Sequence, residues 1–555
     1  MSRRLEDRSE SALLVGERIG MIVGGSLSKG LTARLDETTS VEDMAVGRYV
    51  VITGEQRKFF GMITDVRLET SSQQMASSPP DVSDELVAEV LAGTSAYGCL
   101  EISPMLTLSY DEARKALGPQ PVKTVPAHFS PVCSASEQDV SDVFGAEGPD
   151  HFYLGQPLDM DVKVCISLRR LAERSSGVFG KSGTGKTFLT RLLLLGLVQS
   201  GGAVNLIFDM HNEYGYKGTM EGQREVKGIQ QLFPGRVAIF TLDPSSTRAR
   251  GASYDFEVEI GYDQVEPQDM AMLQEALGLS DAAIESVQRL GRIYGDNHWL
   301  QKFLDVDTGP DLEAFAAQHS LNLGTLQVLR RKLDRLTRLS FLKPGVFDDS
   351  IKRMLECLTS GLNVVLEFGR QNHLDAYILV ANILTRRIHE RYVTLKEEAM
   401  GGKGQEPKPL VITIEEAHKF LNPKVAEFTI FGTIAREMRK YNVTLLVVDQ
   451  RPSGIADEVM SQIGTRITCL LDDEKDISAV LSGVSGAQSL RAVLAKLDPK
   501  QQALILGYAV PMPVVIRTRE YGTEESYRSF MAVEAERSRK QALDDIGKIF
   551  GDFGG

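Results

Sequence analysis

From about residue 15 to residue 69 the apolar positions come in short runs broken by glycine, as at 18–25, 47–52 and 59–66. Runs of that length with turn residues between them predict the strands of a small barrel or sandwich. Residues 71–80 are polar and proline-bearing and predict a loop. Strand-like patterning returns at 100–110 and 160–166, so residues 1–165 read as a β-rich N-terminal barrel domain.

Beyond that point the rhythm changes. A short strand and loop at 177–180 lead into a helix at 187–200, which Gly201 and Gly202 stop. Strands are expected at 203–210 and 236–242. From 266 to about 359 the apolar spacings of three and four are helical, clearest at 270–279, 284–293 and 326–339. Alternation then resumes, with a strand at 361–368, a helix at 375–392 and a Gly/Lys/Pro-rich loop at 401–409. A strand at 410–414, a helix at 426–441 and strands at 443–449 and 466–471 follow. Strands alternating with helices imply a parallel sheet covered on both faces. The expected fold is therefore α/β: a core of residues 166–262 and 360–520, a helical insertion at 263–359 and a helical tail at 521–555. There is no repeat of 20–50 residues.

Composition narrows the class. An apolar fraction of 42% and a charged fraction of 25% over 555 residues supply a sizeable globular core. The strongest apolar stretch, 188–198, is too short to span a bilayer and carries Arg191. The first eight residues mix both charge signs and lack the apolar segment of a secretory signal. Five cysteines with no CxxC pair argue against a zinc ribbon or a disulfide framework and fit a reducing, cytoplasmic setting. With a net charge of −13, any contact with DNA must come from a local basic patch.

The chemistry concentrates in four places. Gly180-Lys181-Ser182-Gly183-Thr184-Gly185-Lys186-Thr187 matches GxxxxGK[ST] between a short apolar strand and an apolar helix, where a phosphate loop belongs. Its glycines let backbone N–H groups turn inward on phosphate oxygens, at the positive end of the helix that Thr187 begins. Lys186 is expected to reach the β- and γ-phosphates of ATP, and the Thr187 hydroxyl to ligate Mg²⁺. The second place is an apolar strand delivering Glu415 and Glu416 at its carboxyl end, a Walker B arrangement. Glu415 would orient Mg²⁺ through water and Glu416 would polarise the attacking water, although two acids there also suit the start of a helix. Third, Gln450 ends the neighbouring strand, placed to sense the γ-phosphate or hold the water. Arg436 and Arg439, three apart, share a helix face and suit a finger acting in trans as well as a solvated basic helix end. Fourth, Asp209 and Glu213 lie in Phe208-Asp209-Met210-His211-Asn212-Glu213-Tyr214 at a strand end. They would face the catalytic edge, although a polar strand-to-loop transition is the simpler reading.

Taken together, these segments resemble the HerA family of the HerA–FtsK superfamily of ring-forming P-loop ATPases. The DxHxEY stretch at 209–214, EEAH at 415–418, the helix at 435–441 and QRPS at 450–453 stand in that family's order, behind a β-rich start like its barrel. The strands near 503–507 and 511–515 are similar to its C-terminal bracing strands. The resemblance implies a RecA-like core in a homo-oligomer, a hexamer moving double-stranded DNA through a central channel, with ATP at subunit interfaces. It also implies a nuclease or other effector partner, while the shortness of the apolar stretches implies no membrane. The trans-acting arginine falls on Arg439, with Arg436 second, and an arginine upstream of the P-loop matches Arg174. Two positions depart from the pattern. Met438 replaces a usual glycine, and Asp449 stands before Gln450 as a further polar group near the γ-phosphate. Arg330, Arg331, Lys332, Arg335 and Arg338 read as a solvated face of the insertion, with DNA contact as the alternative. The competing functions are a ring ATPase moving protein or single-stranded DNA, and a scaffold that binds ATP and turns it over slowly.

Overall fold

The computed structural model describes residues 16–70, 96–115, 118–158, 160–219, 225–371, 373–423, 426, 430–484 and 486–531. The expected loop at 71–80, the mixed-charge start at 1–8 and the tail beyond 531 lie outside these residues. The chain divides into two compact units, one of residues 1–171, 179–186 and 464–519, the other of 172–178, 187–463 and 520–555.

In the first unit, six strands close an antiparallel barrel. Their order is Gly30–Leu35, Arg18–Ser26, Pro131–Ser134, Tyr49–Thr53, Arg57–Thr70 and Ala96–Ser109, and the last pairs back onto the first. Leu31, Ala33 and Leu35 alternate inward along one strand and join Ile19, Ile22, Val50, Ile52, Phe59, Ile63 and Leu100 in one core. Register shifts at Phe60/Gly61 and Ile63/Asp65 let the long strand bend around the barrel.

The barrel proper ends at Ser134. The strand expected at 160–166 is Val164–Ser167, and it does not join the barrel. It pairs with His151–Gln156, which continues through Val514–Thr518 and Gln502–Gly507 to Thr465–Thr468, all antiparallel. Alternating hydrophobicity marks a strand but does not name its neighbour, so the N-terminal boundary drawn at 165 does not follow the sheets.

The second unit holds a parallel sheet in the order Phe256–Glu257, Val237–Thr241, Asn363–Glu367, Val204–Asp209, Leu410–Glu415, Val443–Asp449. Every residue of the last four strands is buried, as a sheet covered on both faces requires. The helix Lys186–Ser200 is buried from Leu189 to Val198, because apolar residues run all round it. Each of its leucines contributes about 1.5–3 kcal/mol relative to exposure.

The insertion is helical, as expected. Its longest helices, Asp281–Tyr294 and Leu323–Leu336, start at the side-chain caps Ser280 and Asn322. Arg386, on the 27-residue helix Leu374–Met400, ties the insertion down through Asp269 at 3.1 Å and through Glu266. Burial pushes the Asp269 carboxyl up to about 6 against the pull of Arg386.

One helix differs from expectation. Ala426 lies in a turn, and the described helix runs from Ile430 to Glu437, followed by a tight 3₁₀ turn at Met438–Tyr441. Asn442 ends it in the left-handed region, at φ 63°. Among the described residues no helix is long and apolar enough to cross a membrane.

Candidate functional site

The strand Ser176–Phe179 runs into the glycine-rich loop, and the helix Lys186–Ser200 leaves it. Two backbone bonds strap the start of the loop. Phe179 C=O accepts from the Cys469 amide at 2.8 Å, and the Lys181 amide donates to Leu470 C=O at 3.0 Å. Gly183 and Gly185 sit at φ 77° and 92°, where a side chain would strain the backbone. A Cβ on Gly180 would come within 2.7 Å of Cys469 and 2.9 Å of the Thr184 hydroxyl. The Lys181 carbonyl is the hub of the turn, accepting from Thr184 Oγ1 and from Lys186 Nζ, each at 2.7 Å. Lys181, Ser182 and Gly183 are exposed, while Lys186 and Thr187 are half-buried on the first turn of the helix. This open cradle fits a phosphate chain.

The carboxyl end of the Leu410–Glu415 strand is the second element. Glu415 is buried, and the hydroxyl of the fully buried Tyr214 donates to its Oε1 at 2.8 Å. Its Oε2 is buried without a hydrogen-bond partner among the described residues. Burial, with the nearby Asp209 charge, pushes this carboxyl up to about 8. An acid with one orphaned buried oxygen fits a hydrated cation, whose charge would favour the ionised form.

Glu416 follows at φ 49°, ψ 43°, an uncommon conformation for a residue with a side chain. It points off the strand and is only half-buried. Gln450 Nε2, just past the adjacent strand Val443–Asp449, donates to Glu416 Oε1 at 2.7 Å.

Three sequence expectations change here. Asp209, expected to face the catalytic edge, is fully buried and turned onto its own loop. Its carboxylate accepts from the amides of Glu213 and Tyr214 at 2.8 Å and of Gly215 at 3.2 Å. Burial and the Glu367 charge push it up to about 7. Asp449, expected near the γ-phosphate, clamps the turn after the Walker B strand instead. It accepts from the His418 amide at 2.6 Å, from His418 Nδ1 at 3.0 Å and from the Arg451 amide at 2.7 Å. The bond from Asp449 raises the His418 pKa, and His418 Nε2 stands 3.8 Å from Glu416 Oε2. Arg436 and Arg439 do not share a continuous α-helical face, because the helix ends at Glu437 and Met438 is drawn into the core. Arg439 is exposed and Arg436 half-buried, as is Arg174.

Of the basic residues in the insertion, Arg330 is spent on Asp334 and on two backbone carbonyls, and Arg335 pairs with Asp375 at 3.0 Å. Arg331 and Arg338 are exposed.

Sequence reasoning missed several members of this edge. Tyr214 stood inside a recognised motif with no part assigned to it. Glu367 closes the buried Asn363–Glu367 strand and accepts from Arg250 at 2.7 Å and Thr247 at 3.1 Å. Its signal was the one shared by Asp209 and Glu415, an acid at the end of an apolar strand. Arg191, fully buried on the helix after the phosphate loop, was visible as a lone charge in an apolar run.

A loop bent to wrap phosphate and a parallel strand ending in two successive acids belong to one kind of chemistry: the protein is a P-loop ATP hydrolase. Its relatives are specific. The family described as "Helicase HerA, central domain" matches residues 152–388, and the HAS barrel domain matches residues 19–109. A protein of Sulfolobus acidocaldarius named DNA double-strand break repair helicase HerA is 24% identical over 91% of this chain and 93% of its own length. The protein of that name from Saccharolobus solfataricus is 24% identical over 77% and 79%. Among solved structures, VirB4 of Thermoanaerobacter pseudethanolicus aligns with 69% of this chain and 100% of its own, at 16% identity and a TM-score of 0.45. Over most of its length the chain is similar to HerA helicases.

Proposed function

We propose that the protein is a hexameric motor that hydrolyses ATP to move along double-stranded DNA, working with a nuclease or another effector in end processing or defence. In this reading the loop 180–187 cradles the triphosphate and Lys186 neutralises its β- and γ-oxygens. Thr187 and Glu415 would hold Mg²⁺, which supplies charge neutralisation at the phosphates. Glu416 takes the proton of the attacking water as its oxygen bonds to the γ-phosphorus and the bond to the β–γ bridging oxygen breaks. Gln450 orients that water together with Glu416. Arg439, or Arg436, would stabilise the transferring phosphoryl group of a neighbouring subunit, and Arg174 would add positive charge near the same triphosphate.

The observation that carries the reading is the 2.7 Å bond from Gln450 to Glu416. A subunit that merely stores ATP has no use for a water-directing acid coupled to a sensor on the next strand. The names of the HerA relatives support DNA as the polymer. In an acidic chain the DNA contact must be local, so its affinity should fall steeply with salt.

The test is ATPase rate with and without duplex DNA on material whose mass is measured by light scattering. A hexamer stimulated by duplex DNA is expected. An unstimulated monomer would refute the motor.

A further inference from the structure

The segment 209–215 behaves as a strut rather than a loop. At its base, the Asp209 carboxylate gathers the amides of Glu213, Tyr214 and Gly215. On one side Arg191, from the helix that follows the phosphate loop, grips the Glu213 carbonyl, with Nε at 3.0 Å and NH2 on the same oxygen. That guanidinium is fully buried and packed over Phe188 and Tyr521 at 5.2 and 5.8 Å. On the other side the Tyr214 hydroxyl reaches Glu415.

Tyr214 has no freedom left. Its amide donates to Asp209, its carbonyl accepts from the Ile229 amide at 2.9 Å, its hydroxyl is on Glu415, and its ring is fully buried. A Cβ on Gly215 would lie 2.5 Å from Glu367 Oε1, so a side chain there would displace that carboxylate. A rigid donor that engages one oxygen of a buried carboxyl fixes the plane of that carboxyl and decides which oxygen stays available.

We propose that Tyr214 is a positioning residue for Mg²⁺ in ATP hydrolysis. It occupies Glu415 Oε1, aims Oε2 at the ion's hydration shell, and is held in place by Arg191 on the helix Lys186–Ser200. The inference rests on the assignment of Glu415 made above. The strut joins the helix that opens on the phosphates to the acid that serves the ion, so a shift of one is passed to the other through the Glu213 carbonyl.

The experiment titrates free Mg²⁺ against binding of a fluorescent ATP analogue to the full-length protein, with steady-state turnover alongside. With Mg²⁺ chelated, Tyr214→Phe should bind nucleotide as the wild type does. The Mg²⁺ needed for half-maximal binding should rise about tenfold or more, the usual cost of losing a group that orients a metal ligand. At saturating Mg²⁺ much of kcat should return. In a Glu415→Gln background the same substitution should shift nothing further. Arg191→Lys keeps the charge but loses the forked grip, and should move the Mg²⁺ dependence in the same direction by less. It gives the answer if Tyr214→Phe proves unstable. A Mg²⁺ dependence unchanged in both variants overturns the proposal while leaving the nucleotide site intact. If Lys186→Ala binds nucleotide as the wild type does, the site assignment beneath it is wrong.

Discussion

Glu415→Gln should stabilise the nucleotide-free protein, and by more as the pH rises. The carboxyl is buried, and burial together with Asp209 lifts it from 4.5 to about 8. Above pH 4.5 the unfolded chain has lost this proton while the folded chain still holds it. The stability contributed by the group is therefore complete below 4.5 and is lost as pH rises toward 8, at a slope approaching about 1.4 kcal/mol per pH unit. Over the whole window that would reach about 5 kcal/mol. Water entry and relaxation around the carboxylate lower it, so a gain of about 1–3 kcal/mol for glutamine near pH 8 is expected. Glutamine keeps the acceptor for the Tyr214 hydroxyl, so the substitution removes charge without leaving that donor unpaired. For a large domain each kcal/mol moves the melting midpoint by roughly 2–4 °C. Thermal melts in EDTA without nucleotide, at matched ionic strength from about pH 5 to about pH 8, should show curves that coincide at the acid end and separate steadily toward the alkaline end. Asp209, raised to about 7, slopes the same way in both proteins and largely drops out of the difference. Parallel curves, or a glutamine variant less stable at pH 8, would refute the burial argument. With Mg²⁺ and ATP present, the advantage should reverse.

Three further outcomes follow from the catalytic assignments. Glu416→Gln should retain ATP binding but lose turnover by about 10²–10⁴-fold, and Gln450→Ala should lose less because Glu416 remains; single-turnover hydrolysis measures both, and normal rates in Glu416→Gln would remove that acid from the mechanism. Mixing Arg439→Ala subunits with Lys186→Ala subunits should restore part of the ATPase rate through hybrid interfaces. No recovery in rings of verified mixed composition would count against a trans role for Arg439 and turn attention to Arg436.

Local rules made the phosphate loop and the acid-ended strand readable. Glycine at 183 and 185 is demanded by backbone angles, and the apolar runs at 204–209 and 410–415 can only be strands covered on both faces. The helical insertion was legible for the same reason, since spacings of three and four need no partner to be recognised. The helix expected at 426–441 extends past the described helix at 430–437 because nothing local announces that Met438 is drawn into the core.

What the chain order alone determined was therefore the inventory: which residues are strands, which glycines bend, which acids stand at strand ends. It could not decide which acid is spent on the fold and which keeps an oxygen open. Asp209 and Glu415 carry the same signature, yet Asp209 is spent on three backbone amides while Glu415 keeps an oxygen free of partners among the described residues. Asp449 and Glu416 likewise sit at adjacent strand ends, and one ties down His418 while the other stands on Gln450. That division is a matter of hydrogen bonds closed between segments far apart in sequence, such as Tyr214 with Glu415 across 201 residues. Only the packed sheet brings those donors and acceptors within reach, and a carboxylate takes its character from whichever donors reach it.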